Sequence, residues 1–182
     1  MKSTVYFAGI RARSPEDSKQ NKIRRLFDAA GFSKVIKKGD LTAIKIHFGE
    51  LGNDSFISPI LVRPIAEKIL DQGARPFLTD TNTLYGGSRC NSVVHLQTAE
   101  EHGFGPSVAA APVIIADGLR GDSFREVSIP GRHFSQVKIA AEIASANSMI
   151  VVSHFKAHLP AGFGGAVKNL GMGCAPPLGK AD

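Results

Sequence analysis

The chain of 182 residues has no tryptophan, only two cysteines and no apolar run long enough to cross a bilayer. A membrane span needs roughly eighteen or more consecutive apolar residues, so no membrane partner is expected. The opening residues, Met1 to Ala8, lack the long apolar stretch and cleavage site of a signal peptide and read instead as a first strand. Cys90 and Cys174 make no disulfide framework, which fits a reducing compartment and a cytoplasmic location. The absence of tryptophan, with basic residues scattered as Arg24-Arg25 and Lys37-Lys38, argues against nucleic acid as a partner. Nucleic-acid binding favours a clustered basic stripe with stacking aromatics. The net charge of +6 fits either a solvated surface or an acidic ligand.

Several motifs are missing too. A Walker loop needs Gly-Lys followed by Ser or Thr, whereas Lys168 stands between Val167 and Asn169. The dinucleotide fingerprint needs three spaced glycines after the first strand, and only Gly9 is there. His154 and His158 are four apart, but Phe155 stands where a helical zinc protease carries Glu, and Pro160 argues against a helix. No internal repeat and no linker divides the chain.

What is present alternates. Strands are expected at 4–9, 41–48, 75–80, 112–116 and 148–153, with an extended segment at 123–129 for which antiparallel pairing is one option. Helices are expected from Ser14-Pro15 to Gly31, from Ser58-Pro59 to Gly73, over 91–102 and over 138–146. This order predicts an α/β fold with a mostly parallel sheet flanked by helices on both faces, followed by an irregular Gly-rich C-terminal segment. Residues 1–182 are read as one α/β domain. The tail beyond Gly171, rich in Gly and Pro, is expected to bury little surface.

Open α/β sheets bind ligands outside the carboxyl ends of their strands. His47, Asp80 and His154 each follow an apolar run, so parallel strands bring them to one rim. Asp117 does so as well, but reads more simply as a loop or cap residue. The loop from Asp80 leads to Arg89, whose planar fork suits a carboxylate or phosphate. Cys90 beside it reads as an inert packed thiol. The segment from Ser153 to Cys174 sets His154, Lys156, His158, Lys168, Asn169 and Cys174 among closely spaced glycines. Such backbone can approach a ligand closely or form an anion nest with Lys168 as counter-charge, and a flexible loop is the plainer alternative.

Three stretches together resemble a family of uncharacterised iron–sulfur-centre proteins, catalogued as a domain of unknown function. They are Lys45-Ile46-His47-Phe48-Gly49-Glu50, Thr79 to Tyr85, and His154 to His158 continuing through Gly164 to Ala175. Members commonly continue into a ferredoxin-like module, so the resemblance implies the N-terminal part of a longer protein, with that module as partner in cis or in trans. Any 4Fe–4S cluster would come from residues beyond this chain, since the sequence holds no Cys-x-x-Cys. The Gly-Phe-Gly-Gly run with Lys168 is more distantly similar to the nickel-pincer lactate racemases, in which such a lysine carries the cofactor and histidines serve as ligand and acid–base groups.

These readings make His47, Asp80, His154 and His158 candidate catalytic groups. Arg89, Lys156, Gly164, Gly165, Lys168 and Asn169 are candidates for holding a cofactor or anionic small molecule, and Cys174 with His154 for holding a transition metal. The expected function is an iron–sulfur-associated redox or cofactor-binding protein. A non-catalytic docking domain and a nickel-dependent racemase are the alternatives.

Overall fold

The computed structural model describes residues 3–159 and 161–182. Its framework is a four-stranded parallel sheet in the order β3-β2-β1-β6, with β1 at Leu41–Lys45, β2 at Arg75–Asp80, β3 at Val113–Ile115 and β6 at Ser148–Val151. Ile44 aligns with Leu78 on one side and with Ile150 on the other. These three side chains share one apolar face.

That face meets α1 (Lys19–Ala29), α2 (Pro59–Asp71), α3 (Ser92–Glu101) and α4 (Pro106–Ala109) through Phe27, Val62, Ala66, Ile69, Ala99 and Ala109. Each fully buried branched side chain contributes about 1.5–3 kcal/mol, so this cluster is the main source of stability. The opposite face carries Ala43, Lys45, Phe77 and Thr79, all buried.

Two hairpins and three short helices complete the chain. β4 (Phe124–Ser128) pairs antiparallel with β5 (Gln136–Ala140). After them come α5 (Ala141–Ser145), the hairpin of β7 (Lys156–His158) with β8 (Gly162–Gly164), α6 (Ala166–Gly171) and α7 (Pro177–Ala181).

The structure departs from the sequence expectations in four places. Residues 4–9 form no strand: Val5 and Phe7 are exposed, and no sheet strand flanks them. The first long helix is capped by Ser18, which accepts from the Asn21 amide, while Pro15–Asp17 is a separate 3-10 turn. The helix expected at 138–146 shrinks to α5, because Val137 and Ile139 pair with Val127 and Arg125 across the hairpin. The tail is packed: Cys174 and Ala175 are buried, and the Ala140 amide donates to the Cys174 carbonyl. Pro160, used above as a helix breaker, lies outside the described residues; the neighbouring Lys156–His158 is a strand.

Candidate functional site

Strand order reverses at β1, with β2 and β3 laid down on one side and β6 on the other. Crevices form at such switch points. A cavity of about 360 Å³ opens at this carboxyl rim, lined by residues that follow β1, β2 and β6 and by the C-terminal segment. That volume suits a small organic ligand.

Its floor is a buried ionic lattice. Lys45, the last residue of β1, is 0% exposed. Its ammonium lies 2.9 Å from Asp80 Oδ1 and donates to Asn169 Oδ1 at 2.7 Å. The Asn169 amide in turn donates to the Val152 carbonyl and to Ser153 Oγ. One side chain thus ties α6 to the ends of both β1 and β6. Gly173 closes over this pair: a Cβ there would stand 2.4 Å from Lys45 Nζ and 2.3 Å from the Asn169 carbonyl.

Asp80 also receives Arg89 Nη1 at 3.4 Å and the Thr81 amide at 2.9 Å. Burial alone would raise its pKa, but Lys45 and other cations prevail and hold it well below the usual carboxylate range. Arg89 directs its remaining fork to Glu50, which also accepts from Tyr85 Oη at 2.7 Å. Burial pushes Glu50 up, yet these hydrogen bonds bring it down to about 2. Both carboxylates are therefore fixed anions that position cations, not proton donors at neutral pH.

His47 and His158 have a defined tautomer in their neutral form. The Gly49 amide donates to His47 Nδ1 at 2.8 Å, and the Ala161 amide donates to His158 Nδ1 at 3.2 Å. An accepting Nδ1 leaves the ring proton on Nε2. Gly49 makes its approach at φ +91°, where a Cβ would also strike the Phe56 ring at 2.6 Å. The His47 side chain is accessible from the cavity yet surrounded by protein. Enclosure, opposed by Asp80 and assisted by Arg89 and Lys45, lowers its pKa to about 4. In that tautomer each ring has an Nε2–H to donate at the cavity.

Of the remaining candidates, His154, Lys156, Gly164, Gly165 and Lys168 line the same cavity, as do Arg89, Asn169, His47, Asp80 and His158. Cys174 does not: it is buried, and burial raises its thiol pKa. Cys90, expected to be packed, is exposed. Among the described residues no three His, Cys, Asp or Glu side chains gather as metal ligands would. One exposed and one buried cysteine, far apart in the chain, do not fit a thiolate cluster site.

The sequence reading missed Lys45, Glu50 and Lys180 as site residues. Lys45 was hidden by strand alternation, which assigns a lysine to the solvent side, although its place at the end of a central strand was the available signal. Lys180 lies in the tail and donates to Thr81 Oγ1 at 2.7 Å and to the Asn82 carbonyl. Burial, opposed by Asp80 and Asp117, brings its pKa down to about 8.

Asp117 sits in the turn after β3, as the loop reading has it, and caps no described helix. It is fully buried and accepts from the Asn82 amide and from Asn82 Nδ2, fixing the loop after β2. Burial raises its pKa to about 6 against those donors. Asn82 thereby turns its Oδ1 to His95 Nδ1, which must donate, so His95 Nε2 is a bare lone pair with no partner among the described residues.

Among the described residues around the cavity, Arg89, Lys156, Lys168 and Lys180 face Glu50 and Asp80. Fold and site define an α/β domain with a cation-rich pocket at the switch point of a parallel sheet. A family model described as "Domain of unknown function (DUF362)" matches residues 42–182, and the chain belongs to that family. No curated protein and no solved structure matches the chain. Among the described residues no helix is long and apolar enough to cross a membrane.

Proposed function

We propose that the domain binds a small anionic organic molecule, with its carboxylate or phosphate against Lys156 and Lys168. One observation carries this reading. Among the described residues, Arg89, Lys45 and Lys180 all have acceptors, whereas Lys156 and Lys168 line the cavity with none. A part-buried ammonium without a counter-charge is costly, and a bound anion removes that cost. The Nε2–H groups of His47 and His158 add donors, so the polar part of the ligand should be rich in acceptors. Phe56, Ile57, Leu84 and Met172 supply an apolar wall for its body.

Calorimetric titration with short carboxylates and phosphate esters, beside their neutral amides or alcohols, tests the reading. Only the anions should bind, and Lys168→Met or Lys156→Met should weaken them at least tenfold with the unfolding midpoint nearly unchanged. Equal binding of neutral and charged analogues would overturn it.

A second reading, in which the domain works beside a ferredoxin-like iron–sulfur module, draws support from the exposed Phe155, Leu159 and Phe163 of the β7–β8 hairpin. Pull-down of such a module with bound iron and acid-labile sulfide, lost in a Phe155→Ser, Phe163→Ser variant, would favour it.

A further inference from the structure

We propose that Lys168 is a nucleophile that forms an imine with an anion bearing an aldehyde or ketone. The proposal rests on the anion-binding reading and adds a covalent step to it.

Lys168 is selected by comparison with the other amines at the rim. Lys45 is sealed beneath Gly173 and held by Asp80 and Asn169. Lys180 is held by Thr81 and the Asn82 carbonyl. Lys156 lines the cavity from an exposed position on β7 and supplies charge. Lys168 is half-buried and lines the cavity, and its stem lies against Gly164, where a Cβ would stand 3.6 Å from its Cδ. That distance is ordinary van der Waals contact, so the Lys168 stem packs along the end of β8 beside the cavity.

The surroundings fit the chemistry. Burial, together with Lys156 and Arg89, lowers the Lys168 pKa, while Asp80 opposes them. Desolvation and a neighbouring cation are the usual means of keeping an amine partly neutral and nucleophilic. Lys156 remains to hold the anionic group of the substrate. His47 and His158, with protons on Nε2, can donate to the carbonyl oxygen and polarise it.

The ammonium first releases a proton to water. Nζ then attacks the carbonyl carbon to give a carbinolamine. The C–O bond breaks as the C=N bond completes, and the oxygen leaves as water. Overall an ammonium and a carbonyl give an iminium and one water, which carries two of the three ammonium hydrogens. Nothing is oxidised or reduced.

Pyridoxal 5′-phosphate, an aldehyde with a phosphate, is a suitable probe. Full-length chain would be mixed with it, reduced with borohydride, digested and mapped by mass spectrometry. Pyridoxine 5′-phosphate, which lacks the carbonyl, would be titrated in parallel. The expected result is one pyridoxyl group on Lys168 at limiting probe, suppressed at least fivefold by excess inorganic phosphate. Lys168→Arg should lose the adduct while its unfolding midpoint stays near that of the parent.

Labelling of Lys156 or of scattered surface lysines in place of Lys168 would overturn the proposal. Binding of pyridoxine 5′-phosphate with no adduct at Lys168 would overturn the imine and leave the anion site standing. An adduct at Lys168 that phosphate does not suppress, with no binding of the alcohol, would overturn the anion site and keep a reactive lysine.

Discussion

Replacing Lys45 by Met is the sharpest test of the ionic floor. The substitution keeps most of the side-chain volume and removes one buried charge. At 2.9 Å, and with an effective dielectric near 20, the Lys45–Asp80 attraction is about 6 kcal/mol before desolvation is counted. Removing one partner of a buried pair typically costs about 3–5 kcal/mol, because the other charge stays behind. Here Asp80 keeps Arg89 at 3.4 Å and the Thr81 amide, so the lower end, about 3 kcal/mol, is expected. Against a usual total of about 5–15 kcal/mol, that is a large loss.

Urea unfolding measures the change as a lower midpoint at unchanged slope. The pairing is isolated by a double-mutant cycle with Asp80→Asn, in which the second substitution should add much less than it does alone. The acid limb gives an independent sign. A carboxylate held below its unfolded pKa stabilises the fold above about pH 4, and that stability is lost as pH falls below it. Without Lys45 the Asp80 pKa rises, so acid unfolding should begin at higher pH. A loss under about 1 kcal/mol, additivity in the cycle and an unmoved acid limb would refute the account.

Two further outcomes follow from the same geometry. Gly173→Ala should destabilise the chain by about 2 kcal/mol or more and disturb the anion site, since its Cβ meets backbone as well as Lys45; a variant with unchanged urea midpoint would remove the close-packing argument. His95 is fully buried, and burial, opposed by Asp80, lowers its pKa to about 4. Its depressed folded pKa means that its contribution is complete above about pH 6.5 and is lost as pH falls toward 4. Asp117, raised to about 6, works in the opposite direction over part of that window. Between pH 7 and 4.5 the parent should therefore lose up to about 3 kcal/mol more stability than His95→Leu, the Asp117 contribution being common to both, and equal slopes would contradict the assignment.

The parallel sheet was readable because its strands are short apolar runs ending in polar residues. The rim followed from that order, so His47, Asp80 and His154 could be placed together before any coordinates. Two things were not readable. Segment 4–9 has the apolar pattern of a strand, but pattern does not supply a hydrogen-bonding neighbour. The hairpin of β4 with β5 depends on register between residues about twelve apart, which neither segment shows alone. Local propensity assigned Lys138 to Ala146 to a helix, and cross-strand pairing overrode it for the first third, up to Ala140.

The C-terminal glycines illustrate the deeper difficulty. Glycine density suggested ligand contact, yet Gly173 is small because Lys45 lies beneath it. That lysine is tolerable in the interior only because Asp80 and Asn169 meet its ammonium. Asn169, in turn, bonds the end of β6 and so seats α6 over the rim. Lys168 is its neighbour on that helix, and Gly164, just before the helix, meets the Lys168 stem. One buried charge therefore fixes the segment that presents the free charge. The sequence shows Lys45 and Asn169 in separate motifs 124 positions apart, and only their contact reveals that the packed lysine and the open one belong to a single device.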